Sequence, residues 1–236
     1  MNLINQVTVI AEAGVNHNGD LEMASELIKV AAYAGADIIK FQTFNTEDIV
    51  TNNSKKAPYQ IRNSRDNLNQ SQKEMLENLE LSASDHDFLI QKCKEYNIEF
   101  LSTAFDIKSL NSLNERGLKR YKIPSGEITN LPYLKHVVTF KKPIIMSTGM
   151  STFDEINTAV NLLLDEGIEK ENLTLLQCTT EYPAPMEEIN LRVLETLRNK
   201  FNLKVGISDH SEGISVPIAS VALGASVIEK HLTLDK

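Results

Sequence analysis

The sequence predicts an α/β fold, specifically a (β/α)8 TIM barrel. Three observations carry that expectation. Eight short apolar runs alternate with amphipathic stretches along the whole chain. Most runs are continuously apolar, as strands buried on both faces are, rather than alternating. The first run leads into Glu12-Ala-Gly-Val-Asn16-His17-Asn18-Gly19-Asp20, which lacks the GxGxxG spacing of an open doubly wound sheet.

The expected strands are residues 7–13, 37–42, 100–104, 120–124, 143–147, 173–178, 205–208 and 226–231. Between the first two, Ala24, Leu27, Ile28 and Ala31 recur at helical spacing behind Asp20, a capping residue. Residues 45–72 break the rhythm: they are polar, rich in Asn, Ser and Lys, and aperiodic. Met75, Leu76 and Leu79 then mark a short helix. Ser82 with Asp85 opens the next helix, which runs to Tyr96. Thr152 with Glu155 forms a capping box ahead of Ile156, Val160 and Leu163. Gly35, Gly117, Gly167 and Gly224 stand where helices end.

Composition excludes several classes. Lys and Arg number 24 and Asp and Glu 32, giving a net charge of −8. Nucleic-acid binding needs a basic surface, so it is not expected. No apolar run is long enough to span a membrane, and residues 1–10 do not read as a signal peptide. Cys93 and Cys178 lie in unrelated segments, so a disulfide framework is not expected and the cytoplasm is the expected compartment.

In a barrel, chemistry gathers at the C-terminal strand ends. Every expected strand ends in polar residues, more than a structural barrel requires. His210 and His231 end consecutive strands, near enough to share one ion; two independent hydrogen-bonded histidines are the bland alternative. Lys40 and Lys122 end apolar strands, where burial is costly without an anion. With Thr103, Ser125, Ser147 and Ser208 they could cradle a phosphate or carboxylate. A Schiff-base lysine and simple ion pairs to Glu12 or Glu127 remain open at this point. Either glutamate could be a general base, a sugar ligand or charge balance. Residues 16–19 read as an ordinary turn, and His86 and His136 as helix residues without a catalytic role.

Seven ordered motifs then carry a family resemblance. They are Ile10-Ala-Glu12-Ala-Gly-Val-Asn16-His17-Asn18-Gly19, Lys40-Phe-Gln42-Thr-Phe44, Lys122-Ile-Pro-Ser125-Gly-Glu127, Met146-Ser147-Thr-Gly-Met150, Cys178-Thr-Thr-Glu-Tyr182-Pro183, Ser208-Asp209-His210-Ser211 and Ile228-Glu229-Lys230-His231-Leu-Thr-Leu-Asp235. Together they resemble the sialic acid synthases, including the legionaminic and pseudaminic acid synthases. The phrase Thr180-Glu181-Tyr182-Pro183 looks closer to the neuraminic and legionaminic branches.

The resemblance implies condensation of phosphoenolpyruvate with an N-acetylated mannosamine-type sugar, releasing phosphate, with a divalent metal: manganese, or alternatively magnesium or cobalt. It implies His210 and His231 as metal ligands. Lys122, Ser125, Thr103, Ser147 and Ser208 would contact phosphoenolpyruvate, with Lys40 adding charge. Thr180 would join them, although some members carry Asn there. Glu12, Gln42 and Tyr182 would contact the sugar, and Glu127 would handle the attacking water. A related 3-deoxy-sugar-acid phosphate synthase, or a substrate-binding fragment with weak activity, is the alternative.

Residues 1–236 are expected to form one catalytic barrel domain, C-terminally incomplete. The resemblance implies a further helix and a small antifreeze-like domain beyond Asp235, and a domain-swapped homodimer in the full-length protein. No nucleic-acid or membrane partner is expected.

Overall fold

All eight apolar runs form strands, and their order in the sheet is their order in the chain. The computed structural model describes residues 7–52, 54–63 and 70–235. The strands are β1 (Thr8–Gly14), β2 (Ile38–Thr43), β3 (Glu99–Ala104), β4 (Tyr121–Ile123), β5 (Ile144–Ser147), β6 (Leu173–Cys178), β7 (Lys204–Asp209) and β8 (Val227–His231). Each pairs in parallel with its neighbours, and β8 closes on β1, giving a barrel of eight.

The helices cover the outside. They are α1 (Leu21–Tyr33), α2 (Thr46–Ile49), α3 (Pro58–Asn63), α4 (Gln72–Glu77), α5 (Ala83–Glu95), α6 (Ile107–Glu115), α7 (Leu131–Val138), α8 (Phe153–Asp165), α9 (Val193–Phe201) and α10 (Ser215–Ala222). Local chemistry fixes their starts. Asp20 accepts hydrogen bonds from the amides of Glu22 and Met23, a cap worth about 1 kcal/mol. Reciprocal capping boxes open α4 at Ser71, α5 at Ser82 and α8 at Thr152. Gly35 and Gly224, at φ 82° and 85°, make the left-handed turns out of α1 and α10.

Strand alternation sorts side chains into two sets. Outward residues such as Ile39 and Phe41 pack beneath the helices, where Phe41 stacks on Phe100 with centroids 5.9 Å apart. Ala24, Leu27, Ile28 and Ala31 are the buried stripe of α1, as their spacing predicts. Burying one Leu or Ile contributes about 1.5–3 kcal/mol. The inward set changes character along the strands and becomes polar near their C-terminal ends.

The polar segment 45–72 contains α2 and α3; residues 53 and 64–69 of it lie outside the described residues, as does Lys236. His17 lies in the β1–α1 turn and His86 in α5, as expected. Both are buried behind the β1–β3 wall. His86 exchanges hydrogen bonds with Thr43 Oγ1 (2.7 Å) and the Ser82 carbonyl (2.8 Å). His17 Nδ1 accepts from the Gly19 amide at 3.1 Å, and its Nε2 has no hydrogen-bond partner.

Candidate active site

The inward residues at the C-terminal pole line a cavity of about 260 Å³. Glu12, Lys40, Gln42, Thr103, Lys122, Ser125, Ser147, Thr180, Tyr182, Ser208, His210 and His231 all contribute to it. A larger open depression, about 630 Å³, lies at the opposite pole between Asp37, Glu99 and Arg120. Its facing Glu99 and Arg120 already pair at 2.7 Å, so it lacks the convergent unsatisfied groups of the C-terminal cavity.

The barrel register builds the floor of the cavity. Glu12 lies opposite Lys40, Thr103 opposite Lys122, and Ser208 opposite Glu229 on adjacent strands. Lys40 donates to Thr103 Oγ1 and Lys122 donates to Ser147 Oγ, each at 2.7 Å. Glu229 stands between the lysines, 3.7 Å from Lys40 and 3.5 Å from Lys122, and accepts from Ser208 Oγ at 2.7 Å. Glu12 Oε2 lies 2.6 Å from Lys40 Nζ, but at an angle too poor for a hydrogen bond. All four charged side chains are buried.

Burial and neighbours set their protonation. Burial raises the Glu12 carboxyl to about 7 despite the attraction of Lys40. Burial also opposes ionisation of Glu229, yet Lys122 and Lys40 outweigh it and hold that carboxyl at about 2. For Lys40, burial favours the neutral amine, but Glu12 and Glu229 more than compensate and keep it charged. Burial dominates at Lys122 and lowers its pKa, with Glu229 opposing. The floor therefore holds one firmly ionised glutamate between two lysines, and an arriving anion finds local positive charge in an acidic protein.

Gly149 shapes one wall. A Cβ there would come within 2.7 Å of Thr180 Cγ2 and 2.9 Å of Ser125 Oγ, and the Gly149 amide itself donates to Ser125 Oγ at 2.9 Å. Cys178 also lines the cavity, but burial raises its thiol, so it is not a ready thiolate.

The two imidazoles meet as their strand positions predict, with ring centroids 5.4 Å apart. Tyr182 stacks on His210 at 4.1 Å and meets His231 edge-on at 5.5 Å. His210 Nδ1 lies 2.7 Å from the Thr179 carbonyl, which can only accept, so Nδ1 carries the proton and the Nε2 lone pair is available. Burial lowers the pKa of both imidazoles; His210 and Lys40 lower that of His231 further, although its ring keeps an exposed edge. Neutral imidazoles are what a metal requires. Among the described residues no group of three or more His, Cys, Asp or Glu side chains gathers around one point. The pair therefore fits a divalent cation that takes its remaining ligands from water or substrate oxygens.

Glu127 follows Ser125 and Gly126, which line the cavity, but is not itself among the lining residues. It ends a 3-10 turn, Ser125–Glu127, and its carboxylate accepts from Asn130 Nδ2 at 2.6 Å, outside the cavity lining. The turn rotates the chain after β4, and Asn130 captures the carboxylate. Conversely, Glu229 lies at the centre of the charged floor, although the motifs alone gave it no role. Its signal was available: Glu229 and His231 are two apart on one strand and so face the same side.

The fold is a TIM barrel whose C-terminal cavity sets two buried lysines beside a pair of imidazoles. Residues 27–236 match the NeuB family, and the chain belongs to that family. It is 54% identical over 228 residues to N,N'-diacetyllegionaminic acid synthase of Campylobacter jejuni, covering 97% of this chain and 68% of that protein. It is 47% identical over 230 residues to the protein of the same name from Legionella pneumophila, covering 97% and 64%. A solved N-acetylneuraminic acid synthetase of Leptospira borgpetersenii, in complex with citrate, is 34% identical and superimposes with a TM-score of 0.84, covering 99% of this chain and 77% of that one. The chain thus spans about two thirds of the length of these two curated relatives.

Proposed function

We propose that this barrel condenses phosphoenolpyruvate with the open-chain aldehyde of an N-acetylated amino sugar, forming a nonulosonic acid and inorganic phosphate. The observation that carries the reading is one cavity holding Lys40 and Lys122, each bonded to a hydroxyl, beside the His210–His231 pair. Family membership and two similar diacetyllegionaminic acid synthases favour a diacetamido-trideoxyhexose as the sugar.

Lys40, Lys122, Thr103, Ser147, Ser125 and Ser208 receive the phosphate and carboxylate of phosphoenolpyruvate. Glu229 holds the lysines apart and charged. The C3 carbon of phosphoenolpyruvate forms a bond to the sugar aldehyde carbon, whose oxygen gains a proton. Water adds at C2, the C2–O bond to phosphate breaks, and the keto acid remains. The cationic floor stabilises negative charge as phosphate leaves. Glu12, with its carboxyl raised to about 7, suits it to hold or give a proton at the reacting oxygen. Gln42 and Tyr182 flank the sugar, and Thr180 stands with Ser125 against Gly149 on the phosphoenolpyruvate side. Glu127 has no part in this reading while Asn130 holds it.

His210 and His231 would hold a divalent cation, with manganese as the ion of choice. When bound, it supplies Lewis acidity at the sugar carbonyl. The assembly is read as a homodimer; exposed Ile107, Leu131, Met150, Met186 and Ile214 each follow a different strand end and support a covered mouth. A cytoplasmic setting fits both substrates. No described helix is long and apolar enough to cross a membrane.

The test is calorimetric titration of phosphoenolpyruvate into manganese-equilibrated protein, followed by phosphate release with N-acetylmannosamine, its 6-phosphate and a 2,4-diacetamido-trideoxyhexose. Binding, with phosphate released fastest for the diacetamido sugar, is expected. A folded protein that ignores phosphoenolpyruvate would overturn the reading.

A further inference from the structure

His210 and His231 are bound together by a second layer of residues on the outer face of the barrel. The β7–β8 ladder ends at the pair Asp209–Lys230, one residue before each histidine. Alternation turns these two side chains outward while the imidazoles turn inward. There, Lys230 Nζ donates to Asp209 Oδ2 at 2.6 Å and to the Ser211 carbonyl at 2.8 Å. The other carboxylate oxygen accepts from the Ser211 amide at 2.9 Å and its hydroxyl at 2.7 Å. Residues on both sides of His210 are therefore tied to the residue preceding His231.

The Asp209 side chain is fully buried, and Lys230 is 26% exposed. A buried ion pair is a poor way to gain stability, because desolvation offsets its attraction. Apolar residues would fill this place equally well but would not fix a direction. The hydrogen bonds here are directional and satisfied on both carboxylate oxygens. His210 is fixed on its other flank too: its Nδ1 donates to the Thr179 carbonyl at 2.7 Å, and its own carbonyl accepts from the Ala184 amide at 2.9 Å. The ladder between β7 and β8 stops just before the two histidines, and the Asp209–Lys230 bond spans the gap between the strands there.

We propose that Asp209 and Lys230 are positioning residues that set the spacing and orientation of His210 and His231 for one divalent cation. The inference rests on the reading of the two imidazoles as a cation site. It assigns a role to residues that touch neither cation nor substrate. Outer partners that orient metal-binding imidazoles typically contribute about 10- to 100-fold in metal affinity.

The test compares wild type, Lys230→Arg, and the double variant Asp209→Asn with Lys230→Met, which leaves no unpaired buried charge. Circular dichroism selects variants that fold. Manganese alone is titrated, with free ion followed by electron paramagnetic resonance, and the imidazole signals of the metal-free proteins are read by nitrogen-15 NMR. The double variant should bind manganese about 10- to 100-fold more weakly, with shifted ring signals for both histidines. Lys230→Arg should recover most of the affinity and the original signals. Near-wild-type affinity and unchanged ring signals in the folded double variant would overturn the proposal. If wild type itself binds no manganese, the cation reading falls, and with it the brace's role toward a cation; shifted ring signals would then show only that the brace orients the rings.

Discussion

At the N-terminal pole of the barrel, Glu99 of β3 meets Arg120, just before β4, at 2.7 and 3.2 Å, with Lys119 3.9 Å away. At the C-terminal pole, Glu229 meets Lys40 and Lys122 at 3.7 and 3.5 Å, with Glu12 alongside. Both clusters oppose charges on neighbouring strand ends. The lower one is a forked, well-aligned pair that keeps contact with water and satisfies itself. In the upper one, Glu12 Oε2 and Glu229 Oε2 are buried without hydrogen bonds. Burying charge so incompletely is unfavourable for the fold alone. The difference separates a pair that satisfies itself from a buried cluster in which two carboxylate oxygens still lack a donor.

The sharpest way to break this comparison is Lys122→Met. Removing one partner of a buried, hydrogen-bonded charge pair costs about 2–5 kcal/mol in binding, so phosphoenolpyruvate affinity should fall about 30- to 4000-fold by calorimetry. An unchanged affinity would reduce the upper cluster to the status of the lower one.

Glu229→Gln sharpens the contrast differently. It leaves buried Lys122 without its anion and Lys40 with Glu12 alone, so ligand-free protein should lose about 3 kcal/mol in chemical denaturation. Phosphoenolpyruvate should then raise the melting temperature more than it does in wild type, because its charge replaces the missing one. An equal rise in both proteins would contradict that role.

The buried histidines extend the comparison to pH. His17 and His86 are both held below the ordinary histidine value of 6.5, chiefly by burial. Between their folded values and 6.5 the unfolded chain binds more protons, so stability must fall as pH drops below about 6.5. The slope reaches at most about 1.4 kcal/mol per pH unit for each histidine. His86→Gln should flatten it in denaturation curves taken from pH 7 to 5. A slope that does not change would place the acid sensitivity elsewhere.

The smallest effect belongs to the lower pole. Arg120→Gln should cost about 0.5–1 kcal/mol, as partly exposed ion pairs do, and leave phosphoenolpyruvate binding unaltered. A loss of binding there would mean that the two poles communicate.

Much of this arrangement was legible in the chain. Strand runs such as 173–178 are apolar without interruption, and helix starts such as Thr152 carry their caps within four residues, so local chemistry identified them. Lys40, Lys122, His210 and His231 were legible because strand ends of a barrel converge by topology. The partner of Glu127 was not legible, because a three-residue turn and Asn130 decide it. His17 is a turn residue, as read; its burial against Phe41 was not legible, because it depends on how the β1–α1 turn packs.

The sequence by itself determined the eight βα repeats, the capped helices and the residues that reach the C-terminal rim, because these depend on period, caps and chain order. Tertiary structure alone decided that Glu229 lies between two lysines, that Asp209 and Lys230 join behind the histidines, and that Asn130 holds Glu127. Those outcomes depend on barrel closure and on the register between strands distant in the chain, and no local pattern carries that information.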